Sequence, residues 1–103
     1  MLLRSPTVRY KRAPQPDGAK LAVVVPAQVR VGIKHKNVTP VQLALNAVTG
    51  VTGLPMGHFD TRTKMAFADF QRKIGYLPSR ATGEPDEDSL KALAEATGFF
   101  AVP

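Results

Sequence analysis

The hydrophobic pattern of residues 21–37 is typical of β-strands. Three consecutive β-branched residues, Val23 to Val25, disfavour a helix, and Pro26 then marks a turn. From Val29 to Lys36 apolar and polar positions alternate, which places alternate side chains on opposite faces of a strand. The sequence therefore predicts a short β-strand pair whose outer face carries Arg30, Lys34 and Lys36.

From Val38 onward the apolar spacing becomes helical, and three helices have start and stop signals. For the first helix, Thr39 and Gln42 have the spacing of a capping box, Pro40 suits the first helical position, and Gly50 suits the stop. Val38 and Leu43 have the spacing of a hydrophobic staple. A helix over roughly residues 40–49 follows from these signals.

The second and third helices begin at aspartates. Asp60 caps the second helix, which Gly75 stops, and Asp86 caps the third, which Gly98 stops. The inner stripe of the second helix holds Ala66, Phe67, Phe70 and Ile74, and that of the third holds Leu90, Leu93 and Ala94. The apolar C-terminal tail, Phe99 to Val102, is expected to pack on the bundle or pair as a strand.

The predicted fold is mainly α: a small three-helix bundle with an extended basic N-terminal arm and a short β-strand pair. Three regions follow, namely the arm at residues 1–20, the strand pair or linker at 21–37, and the helical domain at 38–103. No internal repeat is evident in the sequence. A chain of 103 residues has room for one core, and 44% hydrophobic residues suit a globular domain.

The charge is divided unequally along the chain. Residues 1–37 contain eight Lys or Arg and one Asp, a balance of +7, whereas the rest contains six Lys or Arg and seven Asp or Glu, a balance of −1. Such asymmetry indicates an acidic partner for the basic part. The residues assigned to partner docking are Arg4, Arg9, Tyr10, Lys11, Arg12, Arg30, Lys34 and Lys36.

Two segments resemble the peptidoglycan-binding domain family, over about residues 39–97. The first reads Phe59-Asp60-x-x-Thr63-x-x-Ala66-x-x-x-Phe70-Gln71-x-x-x-Gly75, and the second reads Thr82-Gly83-x-Pro85-Asp86-x-x-Ser89-Leu90-x-x-Leu93. Upstream, Val41-Gln42-Leu43-x-Leu45-Asn46 is similar to the family's first helix. The segment from Thr49 to His58 departs from the family's longer glycine turn with an aromatic. The resemblance implies a three-helix wall-binding module that often accompanies a separate catalytic domain.

The residues that carry this resemblance also have structural explanations. Asp60 serves as a cap, Phe70 and Leu93 as core, Gly75 and Gly83 as turn residues, and Gln71 as a partner for a neighbouring loop. The surface around the loops is left for glycan contact. The candidate glycan contacts are His58, Arg72, Tyr76 and Arg80.

Catalytic and metal chemistry find little support in the sequence. His35 lies between two lysines, His58 stands alone in a loop, and the two lack a third ligand or an HExxH spacing, so we expect no metal. The acidic cluster of residues 84–88 crowds one helix start, where it complements the helix dipole. There are no cysteines and no glycine-rich phosphate loop, and we expect neither an enzyme nor a cofactor.

The expected function is a non-catalytic binding or assembly module, an accessory decoration, minor capsid or tail protein of a bacteriophage particle that docks through its arm. Its expected partners are a protein assembly and, as the resemblance implies, peptidoglycan. Two alternatives stay open: a nucleic-acid-binding protein that uses the arm, and a cell-wall-targeting subunit of a lytic enzyme complex. The basic, proline-interrupted start predicts no signal peptide and no membrane segment, hence a virion or cytoplasmic location before assembly.

Overall fold

The computed structural model describes residues 21–103, and the arm predicted for residues 1–20 lies outside them. Three α-helices follow one another: α1 (Val38–Thr49), α2 (Thr61–Lys73) and α3 (Glu87–Thr97). A single 3-10 turn at Pro26–Gln28 precedes them. The mainly α, three-helix fold is thereby confirmed.

Helix α1 is the central element because it packs against both α2 and α3. The core around it consists of aliphatic residues from all three helices and an aromatic group of Phe59, Phe67 and Phe70. Ring centroids lie 6.2 Å apart for Phe59 and Phe67 and 6.0 Å apart for Phe67 and Phe70, within the range of favourable aromatic pairs. This packing fixes the positions from which the connecting loops start.

Five of the predicted helix ends are confirmed. Asp60 and Asp86 are the N-caps of α2 and α3, and Gly50 and Gly98 end α1 and α3 in left-handed conformations. Helix α2 ends at Lys73, and Gly75 then makes the left-handed turn that closes it. The amide of Gly75 donates to the Arg72 carbonyl and that of Tyr76 to the Gln71 carbonyl, which together form a Schellman motif.

The predicted start of α1 is wrong. The helix begins at Val38, its N-cap is Asn37 without a side-chain cap bond, and Thr39 already lies in the first turn. Gln42 turns into the protein and bonds a loop instead of reaching back to Thr39. Leu43 is 41% exposed, whereas Val38 is buried, so the staple is not formed.

The predicted β-strand pair is also wrong, because residues 21–103 contain only two isolated bridges. Val23 pairs in parallel with Ala101, and Lys34 pairs in antiparallel fashion with His58. The amide of Ile33 donates to the Arg30 carbonyl in a tight turn, with Gly32 at a φ of +93°, which breaks the extended segment. The two halves of the segment therefore pair with different parts of the bundle and never with each other.

The predicted alternation of exposure within residues 29–36 is confirmed even without a strand. Val29 is fully buried, and the cations Arg30, Lys34 and Lys36 are exposed. Val24 and Val29 belong to the same hydrophobic core as the helices. The segment thus lies against the bundle.

Polar contacts and the C-terminal tail fix this segment in place. The buried Asn37 amide donates to the Val23 carbonyl (3.0 Å) and to Gln28 Oε1 (2.8 Å). The tail packs back as expected, because Phe100 is 2% exposed and Ala101 bonds Ala22 and Val24. In the second helix's inner stripe, Ile74 differs from prediction: it lies beyond the helix end and is 40% exposed.

Candidate functional site

Two buried glutamines hold the two loops that lead into α2 and α3. Gln42 on α1 accepts the amide N–H of Gly57 at 2.8 Å, and Gln71 on α2 accepts that of Gly83 at 2.8 Å. In both cases the glutamine Nε2 donates to the carbonyl of the residue after the glycine, His58 or Glu84, at 3.0 Å. We call each arrangement a glutamine clamp.

Each clamp is followed by the same short sequence. Gly57 and Gly83 have φ angles of +85° and +84°, and each stands three residues before an aspartate N-cap, Asp60 or Asp86. Three residues after each cap, Thr63 or Ser89 donates its amide N–H to the capping carboxylate. The two loops are therefore built on the same arrangement of glutamine, glycine and aspartate cap.

The first clamp makes additional contacts. Gln42 Nε2 also approaches the Pro55 carbonyl (2.9 Å) and Thr63 Oγ1 (3.0 Å), so its two protons are shared among three acceptors. Thr63 Oγ1 donates in turn to Asp60 (3.0 Å). This chain of bonds couples the position of the first loop to the cap of α2.

The Asp60 carboxylate is held in its ionised form. Burial works against ionisation, but hydrogen bonds from the Thr63 amide and hydroxyl outweigh it, with help from nearby Arg62, and the pKa of Asp60 lies below its ordinary value. The position at the start of a helix also favours a negative charge. This carboxylate acts as a cap, and nothing about it indicates a proton donor.

The second cap includes an aromatic partner. The Tyr76 hydroxyl lies 2.8 and 2.9 Å from the two oxygens of Asp86, to which Ser89 also donates. Burial opposes ionisation of Asp86, but these donors prevail and lower its pKa. Burial and the bond to Asp86 raise the pKa of Tyr76, because both favour the neutral phenol.

The four candidate glycan contacts do not form one group. His58 precedes the N-terminus of α2, whereas Arg72 lies in its last turn and Tyr76 and Arg80 follow it. At 1.5 Å per residue, the helix separates the two sets by about 17 Å. Arg72 is paired with Asp69, and Tyr76 is engaged by Asp86, which leaves Arg80 as the exposed cation of the second loop.

The docking residues within the described part of the chain are Arg30, Lys34 and Lys36, the cations of what we call the basic segment (residues 30–36). All three are exposed, and within residues 21–103 none of them forms an ion pair. The segment is anchored by the Val31 amide, which donates to Glu84 Oε1 at 2.7 Å, and by the Lys34–His58 bridge. The assigned residues Arg4, Arg9, Tyr10, Lys11 and Arg12 lie outside the described residues.

The two histidines have local contacts. His35 Nδ1 accepts the amide N–H of Asn37 at 2.9 Å, and the His58 backbone pairs with Lys34. Within the described residues, no group of three or more His, Cys, Asp or Glu side chains could hold a metal ion. None of the helices in residues 21–103 has the length and apolar character needed to cross a bilayer.

Sequence reasoning missed one surface feature, the uncharged side of α1. The stretch from Asn37 to Phe59 contains no Lys, Arg, Asp or Glu, yet it exposes Leu43 and Met56. The signal was present as a gap in the charge pattern. It was overlooked because Leu43 was assigned to a staple.

Comparisons of the chain with known protein families, with curated proteins and with solved structures found no match.

Proposed function

We propose that this chain is a non-catalytic binding module of the peptidoglycan-binding type, which serves as an accessory component of a larger assembly such as a bacteriophage particle. It docks on an acidic partner through its basic segment and the arm that precedes it. The observation that carries the proposal is the set of exposed cations at Arg30, Lys34 and Lys36, none of which has a carboxylate partner within residues 21–103.

The anchoring of the basic segment supports a docking role. Val29 is buried in the core, the Val31 amide bonds Glu84, and the Asn37 amide bonds Val23 and Gln28. The backbone beneath these cations loses little conformational freedom when a partner binds, because it is already ordered. Charge complementarity then raises the association rate and the specificity.

The wall-binding part of the proposal rests on the sequence resemblance. The residues that carry it form the second clamp and the helix caps, with Gln71 bonded to Gly83 and Glu84. These residues would give the loops of this chain the same architecture as the loops of the family that the sequence resembles. A glycan strand would then contact the loop surface beside Tyr76 and Arg80 or, at the other end of α2, beside His58.

The test compares two variants of equal charge in the full chain. The first replaces Arg30, Lys34 and Lys36 with Gln, and the control replaces Arg62, Lys73 and Lys91, which are also exposed, with Gln. Each is measured for binding to purified peptidoglycan, for binding to duplex DNA at low and high salt, and for incorporation into the particle. A third form, which lacks residues 1–20, separates the arm from the basic segment.

We expect the first variant and the truncated form to lose incorporation while the control retains it. Peptidoglycan binding by the unmodified chain would support the wall-binding part. Equal incorporation of both variants would refute docking through the basic segment. Failure of the unmodified chain to bind peptidoglycan would refute the wall-binding part, together with the alternative of a cell-wall-targeting subunit, and would leave an assembly role alone.

Nucleic-acid binding is the second candidate, because the same cations, which form no ion pair in the described part of the chain, would attract phosphates. If all three contacted phosphates, the logarithm of the binding constant would fall with the logarithm of the salt concentration with a slope of about −2.7 from these residues alone. The first variant would then lose that part of the slope and the control would keep it. Tight DNA binding of this kind, with no affinity for peptidoglycan, would replace the main proposal.

A further inference from the structure

Glu84 differs from the other acidic residues near the start of α3. Asp86 is the N-cap of that helix, and Glu87 and Asp88 lie in its first turn. The Glu84 carboxylate instead reaches a part of the chain 53 residues away in sequence, because its Oε1 accepts the amide N–H of Val31 at 2.7 Å. Its contact is therefore with the basic segment and not with the helix.

The basic segment begins with a tight turn that leaves one amide without a partner inside the turn. The Ile33 amide donates to the Arg30 carbonyl at 3.0 Å, and Gly32 has the positive φ, +93°, that a type II turn requires at its third position. Val31 is the second residue of this turn, where the N–H takes no part in the closing bond. The Glu84 carboxylate accepts this N–H and so completes the hydrogen bonding of the turn.

The two ends of the basic segment are held in different ways. Backbone bonds hold the end that carries Lys34, where the His35 amide donates to the Gly57 carbonyl at 2.9 Å. At the end that carries Arg30, the contact depends on a side chain: within residues 21–103, the bond to Glu84 Oε1 is the hydrogen bond that joins the basic segment to the second loop. Loss of this carboxylate would therefore loosen the Arg30 end and leave the other end in place.

The Glu84 carboxylate acts on the backbone of the segment and not on its charges. Within the described part of the chain it forms no ion pair with Arg30, Lys34 or Lys36. We propose that Glu84 is a positioning residue, which holds the turn so that the Arg30 guanidinium is presented to the acidic partner. This inference rests on the proposed docking function, and it names a residue outside the basic segment on which that docking depends.

Two substitutions at Glu84 separate positioning from charge. Glu84→Gln and Glu84→Ala both remove one negative charge, but glutamine keeps a side-chain oxygen for the Val31 amide and alanine does not. The other two bonds of Glu84 use its backbone amide and carbonyl, so neither substitution removes their donor or acceptor. Electrostatics alone predicts equal and slightly tighter binding of a polyanion by both variants.

Binding of the full chain to heparin, a stiff polyanion that stands in for an acidic surface, is the first measurement. We expect Glu84→Ala to bind about threefold to tenfold more weakly than Glu84→Gln, because the loosened turn must then be ordered on binding. Glu95 provides the matched control, since it is exposed on α3 and forms no ion pair within residues 21–103. Glu95→Gln and Glu95→Ala should bind heparin equally.

A double-mutant comparison shows whether the effect acts through Arg30. In an Arg30→Gln background, the difference between Glu84→Ala and Glu84→Gln should disappear, because the guanidinium that the turn presents is gone. In a Lys36→Gln background the difference should persist, because Lys36 lies at the other end of the segment.

Hydrogen exchange tests the turn without any ligand. The Val31 amide should exchange at least about tenfold faster in Glu84→Ala than in Glu84→Gln. The Gly32 amide serves as the internal control, because it donates to the Phe59 carbonyl at 2.7 Å and should exchange equally in both variants.

The positioning role would be overturned by equal heparin binding of Glu84→Ala and Glu84→Gln. It would also be overturned by a difference that persists after Arg30→Gln, which would indicate a general loosening of the protein, or by equal exchange of the Val31 amide. Failure of the proposed docking function looks different: Arg30→Gln would then leave the heparin binding of the otherwise unmodified chain unchanged, and the role of Glu84 would be refuted with it.

Discussion

The two glutamine clamps use the same contacts but differ in how tightly the surrounding protein encloses them. At the second clamp a methyl group on Gly83 would lie 2.4 Å from the Lys64 carbonyl oxygen, whereas on Gly57 at the first clamp its nearest neighbour would be Thr39 Oγ1 at 3.7 Å. The first clamp compensates with more hydrogen bonds, because Gln42 has four partners and Gln71 has two. One loop is thus fixed mainly by polar contacts and the other mainly by close packing.

Alanine in place of the two clamp glycines should produce the largest difference. Both positions have positive φ, which costs an L-residue about 1 kcal/mol, but only Gly83→Ala adds a clash with backbone. We expect Gly83→Ala to lower the free energy of unfolding by about 3–5 kcal/mol and Gly57→Ala by about 1 kcal/mol. Urea denaturation measures both, and similar losses would mean that the backbone at Lys64 yields easily.

Leucine in place of each clamp glutamine should destabilise the protein more at the first clamp than at the second, which is the reverse of the order expected for the glycines. Gln42→Leu removes four hydrogen bonds and leaves the Gly57 amide without an acceptor, although the Pro55 and His58 carbonyls keep backbone donors, and we expect a loss of about 2–4 kcal/mol. Gln71→Leu affects only the Gly83 amide and the Glu84 carbonyl, with an expected loss of about 1–3 kcal/mol. Hydrogen exchange at Gly57 and Gly83 shows which loop opens, and a larger loss from Gln71→Leu would contradict the distinction between the clamps.

The caps that follow the clamps should give the smallest effect, visible as a pH dependence. The folded-state pKa values of Asp60 and Asp86 lie below the ordinary value of 3.8, so each contributes stability that is present above that pH and is lost as the pH falls through the folded-state pKa. Asparagine caps a helix about as well as aspartate but does not titrate there. Asp60→Asn and Asp86→Asn should therefore flatten the acid limb of thermal stability, because each variant lacks near neutral pH the stability that the ionised carboxylate contributes there and differs least from the unmodified protein in acid.

The aromatic partner of Asp86 refines this comparison. Because Tyr76 bonds both Asp86 oxygens, Asp86→Asn should also lower the pKa of Tyr76 toward its ordinary value, and Asp60→Asn should not. Absorbance titration of the phenol above pH 10 follows this change. A Tyr76 titration unaffected by Asp86→Asn would mean that burial alone raises its pKa.

Sequence reasoning correctly placed the features that depend only on residues close together in the sequence. Asp60, Asp86, Gly50 and Gly98 were identified because caps and stops depend on a few neighbouring residues. The bond from Gln71 to a neighbouring loop was also anticipated and is confirmed.

The errors arose where distant parts of the chain compete for the same group. Gln42 has the spacing of a capping-box residue, but Gly57 and His58, 15 and 16 residues away, offer its side chain buried partners. Residues 21–37 have strand-like alternation, but Ala101 and His58 are their bridge partners, and Gly32 turns the chain between them. Local patterns contain no information about which distant backbone lies nearby.

The candidate site could be predicted only in part. The exposed cations of the basic segment follow from alternation, but the separation of His58 from Tyr76 by the length of α2 depends on the fold. Glycan contact by His58, Arg72, Tyr76 and Arg80 stays a prediction.

The parallel pairing of Val23 with Ala101 has a mechanical consequence. The Val24 amide donates to the Ala101 carbonyl at 2.8 Å, and the Ala101 amide donates to the Ala22 carbonyl at 2.9 Å. Because the two segments run in the same direction, tension applied backward at Leu21 and forward at Pro103 pulls them past each other in shear. Both bonds then carry the load together instead of breaking one after the other, and Val24 and Phe100, both buried, must leave the core at the same moment. A module pulled between two attachments would resist at this point before any helix is unwound.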